Sequence, residues 1–172
     1  MKKKNFTFEH ITANDWLFFH DLYISQNVMK YISGVMTEEQ IKEAFESRLP
    51  IWNIHSTHWL CMVIRNEKKA PMGLIGLKIV ESQAEEQGIT AEVGFIIEPQ
   101  YAGQGLATKA LMSMLVDERF KLITRFIAVV TAGNLASEQV LKKSGFTFKD
   151  ITKENYLINN VLYDDHNYEL LR

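Results

Sequence analysis

The stretch Val93-Gly-Phe-Ile-Ile97, Glu98, Pro99-Gln-Tyr-Ala-Gly-Gln-Gly-Leu-Ala-Thr108 runs from an apolar, strand-like segment through two glycines into Lys109-Ala-Leu-Met-Ser-Met-Leu-Val116. In that last segment helical spacing takes over: Leu106, Ala110, Leu111, Met114 and Leu115 fall on one apolar face. Glycine at such a junction suits a hinge, a dinucleotide fingerprint, a phosphate loop or a thioester-cofactor site. A Walker loop requires Gly-x-x-x-x-Gly-Lys followed by Ser or Thr, and no such spacing occurs. A Rossmann fingerprint requires a third small residue after Gly103 and Gly105, where this chain has Thr108. What remains is simple physics: without Cβ atoms in the way, backbone N–H groups and the positive end of the following helix converge on a diphosphate. A tight turn with no ligand fits the glycines equally well, so context has to decide.

Upstream of the junction, Asn5 to Ile11 alternates as a first strand, and Thr12-Ala-Asn-Asp15 offers caps for a helix over Trp16 to Ile24. Thr37-Glu-Glu-Gln40 is a capping-box pattern that starts a second helix. From Trp59 the texture becomes β-rich. Trp59 to Arg65, Gly73 to Val80 and Thr90 to Ile97 read as an antiparallel meander, with Glu81 to Gly88 as a polar loop. Downstream, Phe126 to Val130 reads as a short buried strand and Ala136 to Lys143 as a helix. Gly145-Phe-Thr-Phe148 begins another strand, and Asn167 to Leu171 is the last. The order predicts one mixed α/β (α+β) domain over residues 1–172, without repeats or linkers.

Composition narrows the function classes. The 172 residues are 47% hydrophobic and 23% charged, as in a globular domain that needs neither disulfide nor metal to hold it. With 19 Lys and Arg against 21 Asp and Glu there is no positive field for a polyanion, so nucleic acid is disfavoured. No run approaches the roughly 20 apolar residues of a membrane helix, and the basic Met1-Lys-Lys-Lys4 lacks the apolar region of a signal peptide. Cys61 is the sole cysteine; it suits a reducing cytoplasm and sits in an apolar run as a buried thiol rather than a nucleophile. His55 and His58 lack a third placed ligand, so no metal is expected.

Gln100-Tyr-Ala-Gly-Gln-Gly105, between a strand and a helix, resembles the Gln/Arg-x-x-Gly-x-Gly/Ala signature of the GCN5-related N-acetyltransferase (GNAT) superfamily. Val130-Thr-Ala-Gly-Asn134, Ser137 and Val140-Leu-Lys-Lys-Ser-Gly-Phe146 look like the second half of the acetyl-CoA site in the ribosomal-protein N-terminal (RimJ/RimL-like) branch. Weaker similarity runs through Val28 to Ile32, Ala91 to Phe95 and Asp164 to Leu171, so it covers nearly the whole chain. The resemblance implies a GNAT-like domain with a mixed sheet of about seven strands and helices on both faces. It also implies acetyl transfer from acetyl-CoA to an amine by direct attack, with no acyl-enzyme and no role for Cys61.

By the same resemblance, backbone groups of Phe95, Ile96 and Ile97 pair with the pantetheine. The loop of Tyr101, Ala102, Gly103, Gln104, Gly105, Leu106 and Ala107 holds the pyrophosphate, and Gln100 is the signature's polar residue. Asn134 contacts the pantetheine arm, a role compatible with its being a helix N-cap. Lys143 lies near the adenosine end, although a solvated helix face is the plainer reading for Lys142 or Lys143. Many family members protonate the thiolate with a tyrosine where this chain has Leu141; the resembling branch assigns that work to a serine, here Ser137. A hydroxyl is a weak acid, so hydrogen-bond stabilisation of the thiolate is the safer statement. Glu92 is the candidate base, against a structural ion pair or loss of the proton to solvent. Tyr31 joins it on the acceptor side, where Trp52, Trp59 and Met36 line a pocket or belong to the core. The expected acceptor is a protein N-terminal α-amine, the alternative a small amine such as an antibiotic or polyamine. A non-catalytic acyl-CoA sensor is the competing class, and a homodimer is implied because family members often pair.

Overall fold

Side-chain alternation sets the layers. In Leu60–Arg65 (β2), Leu60, Met62 and Ile64 enter one hydrophobic cluster while Cys61 and Val63 enter another on the opposite face. The computed structural model describes residues 6–80 and 88–172. It shows seven strands: Thr7–His10 (β1), β2, Pro71–Val80 (β3), Ile89–Ile97 (β4), Ile123–Thr131 (β5), Thr147–Ile158 (β6) and Val161–Leu171 (β7). They form one mixed sheet in the order β1-β2-β3-β4-β5-β7-β6. Every neighbouring pair is antiparallel except β4 with β5.

One face is covered by Trp16–Ile24 (α1) and Glu38–Glu46 (α3), through Phe19, Leu22, Ile41 and Phe45. The other is covered by Leu106–Leu115 (α4) and Leu135–Lys143 (α5), through Ala110, Leu111, Met114 and Leu141. Burying each such large side chain contributes about 1.5–3 kcal/mol, which explains why β3, enclosed on both sides, is apolar at nearly every position. Between α1 and α3 lies a one-turn helix, Gln26–Met29 (α2), whose Val28 N–H donates to Ser25 Oγ. The capping box at α3 is present: Gln40 N–H donates to Thr37 Oγ1 at 3.2 Å and Thr37 N–H to Gln40 Oε1 at 2.8 Å. Ahead of α1, Ala13–Asp15 is a 3-10 turn, and buried Asp15 is held by Arg65 Nη2 at 2.5 Å.

The meander and the helices fall where the sequence predicts them, but the C-terminal strands are much longer. β6 spans 12 residues and β7 spans 11, where Gly145 to Phe148 and Asn167 to Leu171 were the only strand signals. The reason is exposure: 11 of the 12 residues of β6 face solvent, so no apolar alternation marks it. The two strands are joined at Asn159-Asn160, both with positive φ, as a two-residue hairpin turn requires. β5 likewise runs to Ile123 and Thr131, beyond the expected Phe126 to Val130. The start of the expected first strand at Asn5 and all but Gly88 of the expected loop at Glu81 to Gly88 lie outside the described residues. No helix among the described residues is long and apolar enough to cross a membrane.

Candidate active site

The parallel pair β4 and β5 is joined only from Ile89 to Glu92, with a register shift after Ile89; beyond Glu92↔Ile127 no ladder joins them. The sheet therefore forks. Val93 to Ile97 remain paired to β3 on one side, and their other edge faces the gap. A cleft of about 480 Å³ passes through this fork. On the α4/α5 side it is lined by Asn134, Ser137 and Leu141, and on the α1/α3 side by Tyr31, Trp59 and Glu92 among others.

The donor-side geometry is built from backbone. After β4, Pro99–Tyr101 forms a 3-10 turn, and Gly103 and Gly105 adopt left-handed φ of +73° and +76°. A Cβ added at either glycine would meet nothing within 4 Å, so the space before the loop is open. Gly105 is the N-cap of α4, and the first helical bond is Lys109 N–H to Gly105 O at 3.1 Å. The N–H groups of Leu106, Ala107 and Thr108 thus point out of the helix end, where its dipole is positive. Gln104 Nε2 donates to Gln100 O at 2.8 Å and Gln100 Nε2 to Glu98 Oε1 at 2.7 Å, fixing the loop from within. These residues satisfy what a diphosphate asks of its site: convergent donors, no side chain in front and a helix terminus behind.

On α5, Asn134 caps the helix by accepting Ser137 N–H at 3.2 Å, and both residues line the cleft. No hydrogen bond ties the Ser137 hydroxyl to another described residue, its own helix backbone included. Lys142 is engaged by Glu138 at 3.4 Å, while Lys143 is exposed.

The acceptor side gathers side chains from distant parts of the chain. Glu92 is half-buried; burial pushes its carboxyl above the ordinary range, Asp165 pushes the same way, and Lys78 opposes. Asp165 itself is 5% exposed and accepts Asn155 Nδ2 at 2.8 Å. Through strand pairing it lies beside Thr131, whose Oγ1 donates to Tyr31 O at 2.9 Å. Tyr156, also in the cleft, donates its hydroxyl to Ile32 O at 2.8 Å. Of the aromatic and Met candidates, Trp59 lines the cleft, whereas Trp52 packs edge-on against Phe120 and Met36 packs against the α1/α3 core. Asp165, Tyr156 and Arg48 are cleft residues that sequence reasoning missed. The one available signal was an acid inside a strand, where Asp is disfavoured. No group of three or more metal-ligating side chains occurs among the described residues.

The family profile described as Acetyltransferase (GNAT) domain matches residues 5–147. The chain belongs to the GNAT acetyltransferases. Over 160 residues this GNAT chain is 30% identical to the uncharacterized N-acetyltransferase YnaD of Bacillus subtilis (strain 168), covering 91% of this chain and 88% of that one. The spermidine N-acetyltransferase of Vibrio cholerae, solved with CoA and spermine, superposes with a TM-score of 0.80 at 21% identity, covering 98% and 96% of the two chains. RimL, the ribosomal L7/L12 alpha-N-protein acetyltransferase solved with CoA, also gives 0.80, at 16% identity over 98% and 95%. The GNAT fold is thus shared with enzymes of two acceptor classes, and the chain is an N-acetyltransferase.

Proposed function

We propose that this enzyme moves the acetyl group of acetyl-CoA to a protein or peptide N-terminal α-amine. The observation that carries the reading is the fork after Glu92↔Ile127, which opens the β4 edge at Phe95 and Ile96, the start of α5 at Asn134 and Ser137, and a half-buried carboxylate onto one cleft. The open β4 edge at Phe95, Ile96 and Ile97 takes the pantetheine as an added strand, and the loop from Gln100 to Ala107 takes the pyrophosphate. Asn134 uses its oxygen for the cap and keeps its amide hydrogens for the pantetheine. Lys143 serves the adenosine end. Acetyl-CoA supplies an activated thioester.

Glu92 accepts the proton that the ammonium must lose before its nitrogen lone pair becomes available. Burial raises the affinity of Glu92 for that proton, which suits a base working near neutrality. Ser137 donates a hydrogen bond to the sulfur as the C–S bond breaks. Tyr31, fixed by its backbone bond to Thr131, forms one wall for the acceptor. The likeness in fold to RimL supports the N-terminal amine. The reading includes a homodimer working in a reducing cytoplasm. A small polyamine is the second reading, favoured by the two carboxylates Glu92 and Asp165 and by the likeness in fold to the spermidine enzyme.

Thiol release measured with N-terminal peptides beside spermidine and aminoglycosides tests this directly. Turnover with peptides is expected. Turnover confined to spermidine selects the second reading, and stabilisation by acetyl-CoA without thiol release from any amine defeats both.

A further inference from the structure

Directly paired residues share a face, so Cys61↔Gly76 and Gly76↔Gly94 lay a row across β2, β3 and β4 beneath α1 and α3. Glu92 lies on the same face, two residues along β4 from Gly94. With no side chain at Gly76 or Gly94, this row is the floor of the cleft, and Trp59 stands over it: a Cβ at Gly94 would lie 3.4 Å from the indole. Glu92 and Asp165 mark one end of the floor. Arg48, which follows α3, marks the other, beside Cys61 and Tyr23.

Arg48 is half-buried, with its guanidinium over the rings of Phe19 at 5.5 Å and Tyr23 at 6.0 Å. Its hydrogen bonds all leave from Nη1, to Ala44 O and to Ser47 Oγ. Among the described residues it has no carboxylate partner; nearby Asp15, which also acts on Cys61, is taken by Arg65 at 2.5 Å. The Nε and Nη2 donors form the side-on fork that reads a carboxylate through two parallel bonds. A half-buried cation left unpaired is costly, and a ligand group that pairs it recovers that cost.

We propose that Arg48 is a binding residue for a carboxylate carried by the acceptor, which therefore presents its amine to Glu92 and an acid to Arg48 at opposite ends of the glycine floor. This rests on the acetyl-transfer reading above and names the acceptor more narrowly. Two strands across and two residues along separate the ends by on the order of 10 Å. That is about three extended residues, so the acid belongs to the second or third residue of a peptide N-terminus or to the C-terminus of a short peptide.

The test begins with the unaltered protein. Peptides with Asp at position 2 or 3 are compared with their Asn counterparts, all amidated at the C-terminus, alongside tripeptides with free or amidated C-termini. The first set reports a side-chain acid and the second a terminal one. In at least one set the acid should bind the CoA-saturated protein about 10- to 100-fold more tightly than its amide, by calorimetry, with a matching change in KM and little in kcat. Arg48→Gln should erase that preference while leaving acetyl-CoA binding unchanged, and Arg48→Lys should restore part of it. Equal binding of acids and amides overturns the proposal, as does a preference that survives Arg48→Gln in a folded variant. Because binding is read apart from turnover, absent thiol release with an intact acid preference counts against the acetyl-transfer reading alone.

Discussion

The two halves of the candidate site are made in opposite ways. The donor half is local and built mostly from main chain: residues 93–107 supply an open strand edge, a left-handed loop and a helix end. The acceptor half is assembled at long range from side chains on the α1–α2 segment, the turn after α3, β2, β4 and the β6–β7 hairpin. A site that grips with backbone tolerates side-chain change and demands glycine, whereas a site that grips with side chains can be retuned residue by residue. This difference fits a family whose members share a fold and CoA while their acceptors vary from spermine to a ribosomal protein.

Four substitutions break or sharpen this contrast. The largest effect is expected from Glu92→Gln: kcat should fall about 10²- to 10⁴-fold, with acetyl-CoA binding intact. Because burial raises the Glu92 pKa, the unprotonated form that the proposed base requires is lost at a higher pH than for an ordinary carboxylate. The acidic limb of the pH–rate profile should therefore sit above the usual carboxylate range and vanish in the variant. A limb that persists in Glu92→Gln assigns the base elsewhere.

Gly94→Val comes next. A Cβ there lies in ordinary contact with the Trp59 indole, and the γ methyls of valine beyond it would fill the floor of the cleft, so acceptor KM should rise by about tenfold or more while stabilisation by acetyl-CoA persists. Loss of acetyl-CoA stabilisation instead would show that the two halves are not separable at β4. Ser137→Ala removes the hydroxyl proposed to hydrogen-bond the leaving sulfur, and kcat should drop about 5- to 30-fold with no change in cofactor affinity. An unchanged kcat would leave thiolate release to solvent. The smallest effect belongs to Cys61→Ala. Burial pushes its thiol up to about 12, so the residue should resist alkylation in the native protein, and the variant should retain kcat within about twofold. A large loss would bring a covalent step back into consideration.

How much was legible beforehand follows the same division. The strand-glycine-helix junction could be read because each of its parts is a local pattern: apolar run, left-handed turn, helical face. Asn134 and Ser137 were named through the family resemblance; the structure places them three residues apart at the start of α5, on the cleft. Asp165 was not legible, because what makes it matter is pairing with β5 across more than 30 residues, and because β6 beside it carries no apolar alternation. Arg48 carries no local signal; only the packing of α3 on the sheet turns it toward Cys61 and Tyr23. Asn159-Asn160 was a missed local signal for the long hairpin, since few residues other than glycine accept positive φ so readily.

That hairpin ties the molecule to itself. Tyr156 donates to Ile32 O, and Asn159 Oδ1 accepts Val35 N–H, each across 124 residues. The wall that holds Tyr31 is therefore fastened by segments synthesised near the beginning and near the end of these 172 residues. A change in the turn at Asn159-Asn160 would therefore be felt 124 residues away in sequence, at the wall beside Tyr31.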